Sequence, residues 1–151
     1  MDEEPTESDT PDYHDVFENR VRYAETDAQG IVFYGEYLTF MDEAFSAYLE
    51  AVGHPFTSFE DRGWDVHVVH AELDYHDSAE FADELLNSMR VSAIRRSSIA
   101  FDWICRQRDG GRVASGNVVH VAVDGDGETV RVPDGFREAV VEFQEVPPDP
   151  V

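Results

Sequence analysis

Asp27 is a carboxylate in a turn, and the residues after it are of the kind that could hold a carbonyl against it. The stretch reads Arg22-Tyr23-Ala24-Glu25-Thr26-Asp27-Ala28-Gln29-Gly30-Ile31-Val32-Phe33-Tyr34-Gly35-Glu36-Tyr37. A carboxylate can attack an activated carbonyl as a nucleophile, or activate water as a general base. Either role needs donors for the oxyanion that develops. A helix predicted to start after Phe33 would supply them, because its first N–H groups have no partner within the helix and lie at the positive end of its dipole. Tyr34 and Gly35 fall at that point, and Gly35 has no Cβ to block close approach. The plainer reading of Asp27 is a turn former that bonds backbone N–H groups. Glu36 is a second carboxylate close by. It is either an alternative base or an acid favoured by the helix dipole. Glu25 reads as a solvated surface acid.

Other chemistry-bearing residues are sparser. Arg95-Arg96-Ser97-Ser98 holds the only adjacent arginine pair of the chain. Guanidinium forks suit phosphate, while the bland alternative is a charged turn that keeps a strand edge soluble. His67 and His70 lie three apart in a strand, which would place them on opposite faces, so no shared metal is expected. His70, Asp74 and His76 could share a face but read as ordinary surface. No metal site is predicted. Asp124-Gly125-Asp126-Gly127-Glu128 starts like a calcium loop but has Thr129 where glycine is needed, and reads as a hairpin turn. No Gly-x-Ser-x-Gly elbow occurs. Cys105, the one cysteine, excludes an intrachain disulfide and reads as inert packing.

These residues need a frame to position them. From Tyr37, the set Tyr37, Phe40, Met41, Ala44, Tyr48 and Val52 follows helical spacing, and Leu38, Phe45 and Leu49 widen the apolar face. The helix is apolar on nearly every side and should be buried. Gly53 and His54-Pro55 end it. Strands are predicted over 16–23, 64–77, 84–95, 97–108 and 112–124, followed by a short helix over 135–143. In the fourth strand Ile99, Phe101, Trp103 and Cys105 alternate with Ala100, Asp102 and Arg106. Val66, Val68, His70 and Glu72 are expected on one face of the second strand, with His67, Val69, Ala71, Leu73 and Tyr75 on the other. One buried helix followed by consecutive long strands is an α+β layout of one domain. The expected division is an acidic disordered tail over 1–15, the domain over 16–143 and a C-terminal tail over 144–151.

The 33 acidic residues against 11 basic ones give a formal charge of -22, and every basic residue is arginine. A surface this acidic repels nucleic acid and anionic membranes, so neither is an expected partner. It suits a high-salt cytoplasm, where screening removes the self-repulsion. The first fifteen residues lack the basic and apolar runs of a signal peptide, and the central helix is too short and too charged to span a bilayer. The expected location is therefore cytoplasmic.

The pattern Thr26-Asp27-Ala28-Gln29-Gly30-Ile31-Val32-Phe33-Tyr34-Gly35-Glu36-Tyr37 resembles the active-site segment of hotdog-fold acyl-CoA thioesterases, most closely the 4-hydroxybenzoyl-CoA thioesterase type. The resemblance implies an antiparallel sheet wrapped round one central helix. It implies hydrolysis of an acyl- or aryl-CoA thioester, with Asp27 as nucleophile or general base and the Tyr34 N–H polarising the carbonyl. It also implies that Arg95, Arg96, Ser97 and Ser98 contact coenzyme A, and that a homodimer or homotetramer forms by edge-to-edge pairing with the site at the interface. No cofactor is implied, since coenzyme A enters as part of the substrate. Two other activities are compatible with the fold: an acyl-CoA-binding module without turnover, and a dehydratase or hydratase. The latter wants a histidine near the helix start, whereas the first histidine after Asp27 is His54.

Overall fold

The computed structural model describes residues 13–149. Strand β1 (His14–Arg20) leads through a single 3-10 turn and a short loop into helix α1 (Glu36–Ala51). Strands β2 (Asp65–Tyr75), β3 (Glu84–Ile94), β4 (Ser98–Gln107) and β5 (Arg112–Val123) follow, and helix α2 (Asp134–Phe143) comes last. The five strands form one sheet in the order β1-β3-β4-β5-β2, with every neighbouring pair antiparallel. This is the α+β arrangement the sequence predicts. Among the described residues no helix is long and apolar enough to cross a membrane.

Helix α1 buries Tyr37, Phe40, Met41, Ala44, Phe45, Tyr48 and Leu49. Its aromatic side chains meet the sheet edge-on: Phe45 and Tyr48 stand 5.2 and 5.8 Å from Phe101, both at near right angles. Such T-shaped pairs place the positive ring edge against the negative face. The helix is less enclosed than its composition suggests, because Leu38 is exposed. Strand β4 keeps the expected alternation, with Ile99, Phe101, Trp103 and Cys105 all buried. Burial pushes the Cys105 thiol up to about 12, so it is packing and not a nucleophile.

Strand β2 departs from simple alternation. Val68 pairs with His120 and His70 with Val119, so Val69 is an extra residue at a bulge. Residues directly opposite in an antiparallel pair share a face. The side facing α1 therefore carries Val66 and Val68 before the bulge, then Ala71, Leu73 and Tyr75 after it. Two expectations change. The face assignment for β2 holds only up to Val68, and His67 and His70 lie on the same outer face instead of opposite ones. Even so, no group of three potential metal-ligating side chains occurs among the described residues. His70 pairs instead with Glu72 at 3.2 Å, and Glu72 also accepts from Asn117 at 2.9 Å.

The ends of the domain also differ from expectation. Strand β1 starts at His14, inside the stretch read as tail; residues 1–12 lie outside the described residues. It ends at Arg20, short of the predicted 23, and Tyr23 opens a 3-10 turn with 79% of its surface exposed. At the other end, among the described residues β1 reaches along β3 only to Met89. Beyond that point the β3 edge would present unpaired backbone groups. Gln144 covers it: its Oε1 accepts from the Val91 N–H at 2.6 Å, and its Nε2 donates to the Val91 carbonyl at 3.1 Å. Further on, the Asp149 N–H donates to the Ser92 carbonyl at 3.0 Å, and Pro148 is buried. The segment from Gln144 to Asp149 is thus packed onto the sheet and is not a free tail.

Candidate active site

A small hairpin positions Asp27. Thr26 and Val32 form an antiparallel bridge, and Gly30 closes the loop with a φ of +80°, a conformation that glycine adopts without steric cost. The Asp27 N–H donates to the Ile31 carbonyl at 2.9 Å, and the Gly30 N–H donates to the Asp27 carbonyl at 2.9 Å. The Asp27 carboxylate uses Oδ1 to accept from the Gln29 N–H at 2.8 Å. Its Oδ2 has no hydrogen-bond partner among the described residues. Both readings of Asp27 therefore meet in one side chain: one oxygen fixes the turn and the other is free.

Glu25 anchors this hairpin and is not a solvated acid. It is only 6% exposed. Its Oε1 accepts from the Arg22 N–H at 2.8 Å and its Oε2 from the Arg22 guanidinium at 3.1 Å. Its own carbonyl accepts from the Phe33 N–H at 2.9 Å, tying the start of the hairpin to the entrance of α1. Only the Glu25 half of a capping box forms here, since the Arg22 guanidinium cannot accept the reciprocal bond, so the sequence carried no standard capping signal.

Tyr34 and Gly35 form the turn before α1, with Gly35 as its N-cap. The Glu36 N–H donates to the Phe33 carbonyl, but the N–H groups of Tyr34 and Gly35 donate to nothing among the described residues. Two free donors thus stand at the helix entrance. A Cβ on Gly35 would lie 2.9 Å from Phe33 Cε2, so any larger residue here displaces the exposed Phe33 ring that folds back over it. Tyr75 of β2 steadies the turn by donating from its hydroxyl to the Tyr34 carbonyl at 3.2 Å, and its ring meets Tyr37 at 5.7 Å. Glu36 lies half-buried in the first helical turn. The open hollow beside Asp27 is lined by Tyr23, Ala24, Thr26, Gly30 and Phe81, and not by Tyr34 or Gly35.

The Arg95–Ser98 segment is the turn between β3 and β4. Arg95 and Arg96 are exposed, and neither side chain has an ion-pair or hydrogen-bond partner among the described residues. By contrast Arg22, Arg90, Arg106, Arg108 and Arg131 each pair with a carboxylate. The turn is held from behind. Arg137 of α2, which is buried, donates to the carbonyls of Arg95 at 2.6 Å, Arg96 at 3.1 Å and Val132 at 3.0 Å. The Ser97 carbonyl accepts from the Ala122 N–H at 2.7 Å. Within one chain this turn does not meet Asp27. The Asp27 hairpin bridges to Glu80, just before the start of β3, whereas Arg95 follows its end. Ten strand steps of about 3.3 Å place the two about 30 Å apart.

A family model described as the thioesterase-like superfamily matches residues 21–140. The chain is 33% identical over 89 residues to a 1,4-dihydroxy-2-naphthoyl-CoA hydrolase of Synechococcus elongatus, a match covering 58% of this chain and 65% of that protein. Its structure resembles that of a hypothetical protein from Thermus thermophilus, with a TM-score of 0.80, 27% identity, and coverage of 87% of this chain and 100% of that one. It also resembles a gentisyl-coenzyme A thioesterase, with a TM-score of 0.76, 27% identity, and coverage of 83% and 99%.

Proposed function

The chain belongs to the thioesterase-like superfamily and has the hotdog fold, and on that premise we propose that it hydrolyses an acyl-CoA thioester to the free acid and coenzyme A. The observation that carries the reading is the Asp27 carboxylate, held by one oxygen and free at the other, in the hairpin that leads into a helix entrance with two unpaired N–H groups. In the reaction the Tyr34 N–H takes up the charge that develops on the thioester oxygen. Asp27 either attacks the carbonyl carbon, expelling the thiolate of coenzyme A and leaving a mixed anhydride that water then hydrolyses to the free acid, or removes a proton from the water that attacks the carbonyl and expels the thiolate. Glu36 is the alternative base. The two relatives named for 1,4-dihydroxy-2-naphthoyl and gentisyl thioesters favour an aromatic acyl group.

A second copy of the chain completes the site. Strand β2 is an edge of the sheet, and its exposed apolar residues include Val68, Val69 and Tyr75. Pairing two such edges covers them. It also offers a route by which Arg95, Arg96, Ser97 and Ser98 of one subunit reach the coenzyme A phosphates of a substrate held at Asp27 of the other. The enzyme is a homodimer or homotetramer, located in the cytoplasm, with its charge of -22 adapted to high salt.

The test is thiol release from benzoyl-, hydroxybenzoyl-, phenylacetyl-, short-chain and long-chain CoA thioesters in molar salt, with wild type beside Asp27→Asn. Hydrolysis of one class, lost in the variant by a factor of about 100 to 10,000, is expected for a catalytic carboxylate. Hydrolysis that survives Asp27→Asn moves the chemistry to Glu36. No turnover of any thioester by folded protein replaces the enzyme with an acyl-CoA-binding module.

A further inference from the structure

A cavity of about 290 Å³ opens between the first turns of α1 and the sheet, lined among others by Leu38, Asp42 and Phe45 of the helix, Ala71 of β2, and Val118 and His120 of β5. It starts one helical turn below Tyr34. Leu38 follows Tyr34 by four residues, and Phe45 lies seven residues further, about 10 Å along the axis. A thioester carbonyl held at the helix entrance would direct its acyl group down this stripe towards His120.

His120 is out of place on the inward phase of β5. Its neighbours on that face, Val118 and Ala122, are small and apolar, and His120 itself is 3% exposed. Its ring stacks on Phe45 at 4.1 Å with an interplanar angle of 9°, and stands edge-on to Phe101 at 5.5 Å. Its Nδ1 is buried with no hydrogen-bond partner among the described residues. An unpaired buried polar atom costs about 1–3 kcal/mol, so an apolar residue here would make the more stable empty protein. Burial also lowers the imidazole pKa to about 4, so the ring is neutral at ordinary pH and carries one N–H and one lone pair. Stacking on Phe45 fixes the plane of the ring where His120 lines the cavity.

We propose that His120 is a specificity-determining residue that hydrogen-bonds a hydroxyl group on the acyl part of the substrate, at the far end from the thioester. The proposal rests on the thioesterase reading above. It selects hydroxylated over unsubstituted aromatic acyl groups, because a site built around a buried polar atom rejects the analogue that leaves it unpaired.

The experiment compares benzoyl-CoA with the three monohydroxybenzoyl-CoA isomers, using wild type, His120→Phe and His120→Gln. Phenylalanine preserves the stack on Phe45 and removes the nitrogens; glutamine keeps a polar group if the phenylalanine variant fails to fold. Wild type is expected to favour at least one hydroxylated isomer over benzoyl-CoA by tenfold or more in kcat/KM. His120→Phe should collapse that ratio towards one, and His120→Gln should retain part of it. The same pairs are measured for binding to the Asp27→Asn protein with and without His120→Phe, which reads the preference without turnover. A missing preference in wild type, or a ratio indifferent to His120→Phe in both assays, overturns the proposal. If no thioester is hydrolysed but the binding preference is present and depends on His120, the enzyme reading falls and this one stands.

Discussion

Replacing Gln144 with leucine should destabilise the protein by about 3 kcal/mol, although the residue lies beyond the last helix in a stretch that reads as a tail. Four hydrogen bonds converge on its amide. Oε1 accepts from the Tyr48 hydroxyl and the Val91 N–H, both at 2.6 Å, and Nε2 donates to the carbonyls of Val91 at 3.1 Å and Val146 at 3.0 Å. The donors and acceptors around it fix which end of the amide is oxygen. Leucine has a similar volume, so the packing term is small. What remains is the cost of leaving the Tyr48 hydroxyl and both polar groups of Val91 buried and unpaired, at about 1.5 kcal/mol each. Removing the amide recovers about 1–2 kcal/mol of its own burial cost. The net, about 3 kcal/mol, is a large share of the 5–15 kcal/mol typical of a domain. Urea unfolding in molar salt gives the number directly, with Tyr48→Phe as a companion expected to cost about 1 kcal/mol. A loss below about 1 kcal/mol for Gln144→Leu, with an unchanged m-value, would refute the view that this side chain stands in for a missing strand.

Three further outcomes follow from the geometry. The folded-state pKa of His120, about 4, lies below its ordinary 6.5, so the neutral ring is the form the fold holds; burial of the ring brings almost no protonation penalty above pH 6.5, and stability is lost as pH falls from there towards 4, where the unfolded chain binds the proton and the folded one does not. Comparing unfolding free energies of wild type and His120→Phe at pH 7 and pH 5 should show wild type losing about 2 kcal/mol more than the variant; an equal loss would contradict it. Arg137→Lys keeps the charge but not the fork that holds the carbonyls of Arg95 and Arg96. It should raise KM for a CoA thioester several-fold with kcat nearly constant, and a tenfold fall in kcat at constant KM would point away from a positioning role. Gly35→Ala has no backbone strain to overcome but brings a Cβ within 2.9 Å of the exposed Phe33 ring. Thermal melting should move by only a few degrees while thioester turnover falls tenfold or more, and full activity would remove Gly35 from the site.

The parts of this molecule that are local in sequence were legible without coordinates. The stripe from Tyr37 to Leu49 is set by helical spacing, and the alternation of Ile99, Phe101, Trp103 and Cys105 by the strand period, so each predicts its own burial. The Asp27 turn and the free N–H groups of Tyr34 and Gly35 arise within a dozen residues, where chain connectivity alone brings the groups together. What the sequence could not decide depends on pairing between distant segments. The extra residue at Val69 becomes visible only against β5, and it exchanges the two faces of β2 from there on. Gln144 matters because, among the described residues, β1 pairs along β3 only as far as Met89, which leaves Val91, 53 residues away along the chain and paired with Phe101 on its β4 side, without a strand partner on the other. His120 carried no signal in the sequence beyond its place in the strand over 112–124; that it is buried without a partner for Nδ1 follows only from what α1 and β4 place around it. Hydrogen-bond satisfaction in the core is a property of the whole packed set of groups, and only the tertiary structure says which of them remain unpaired.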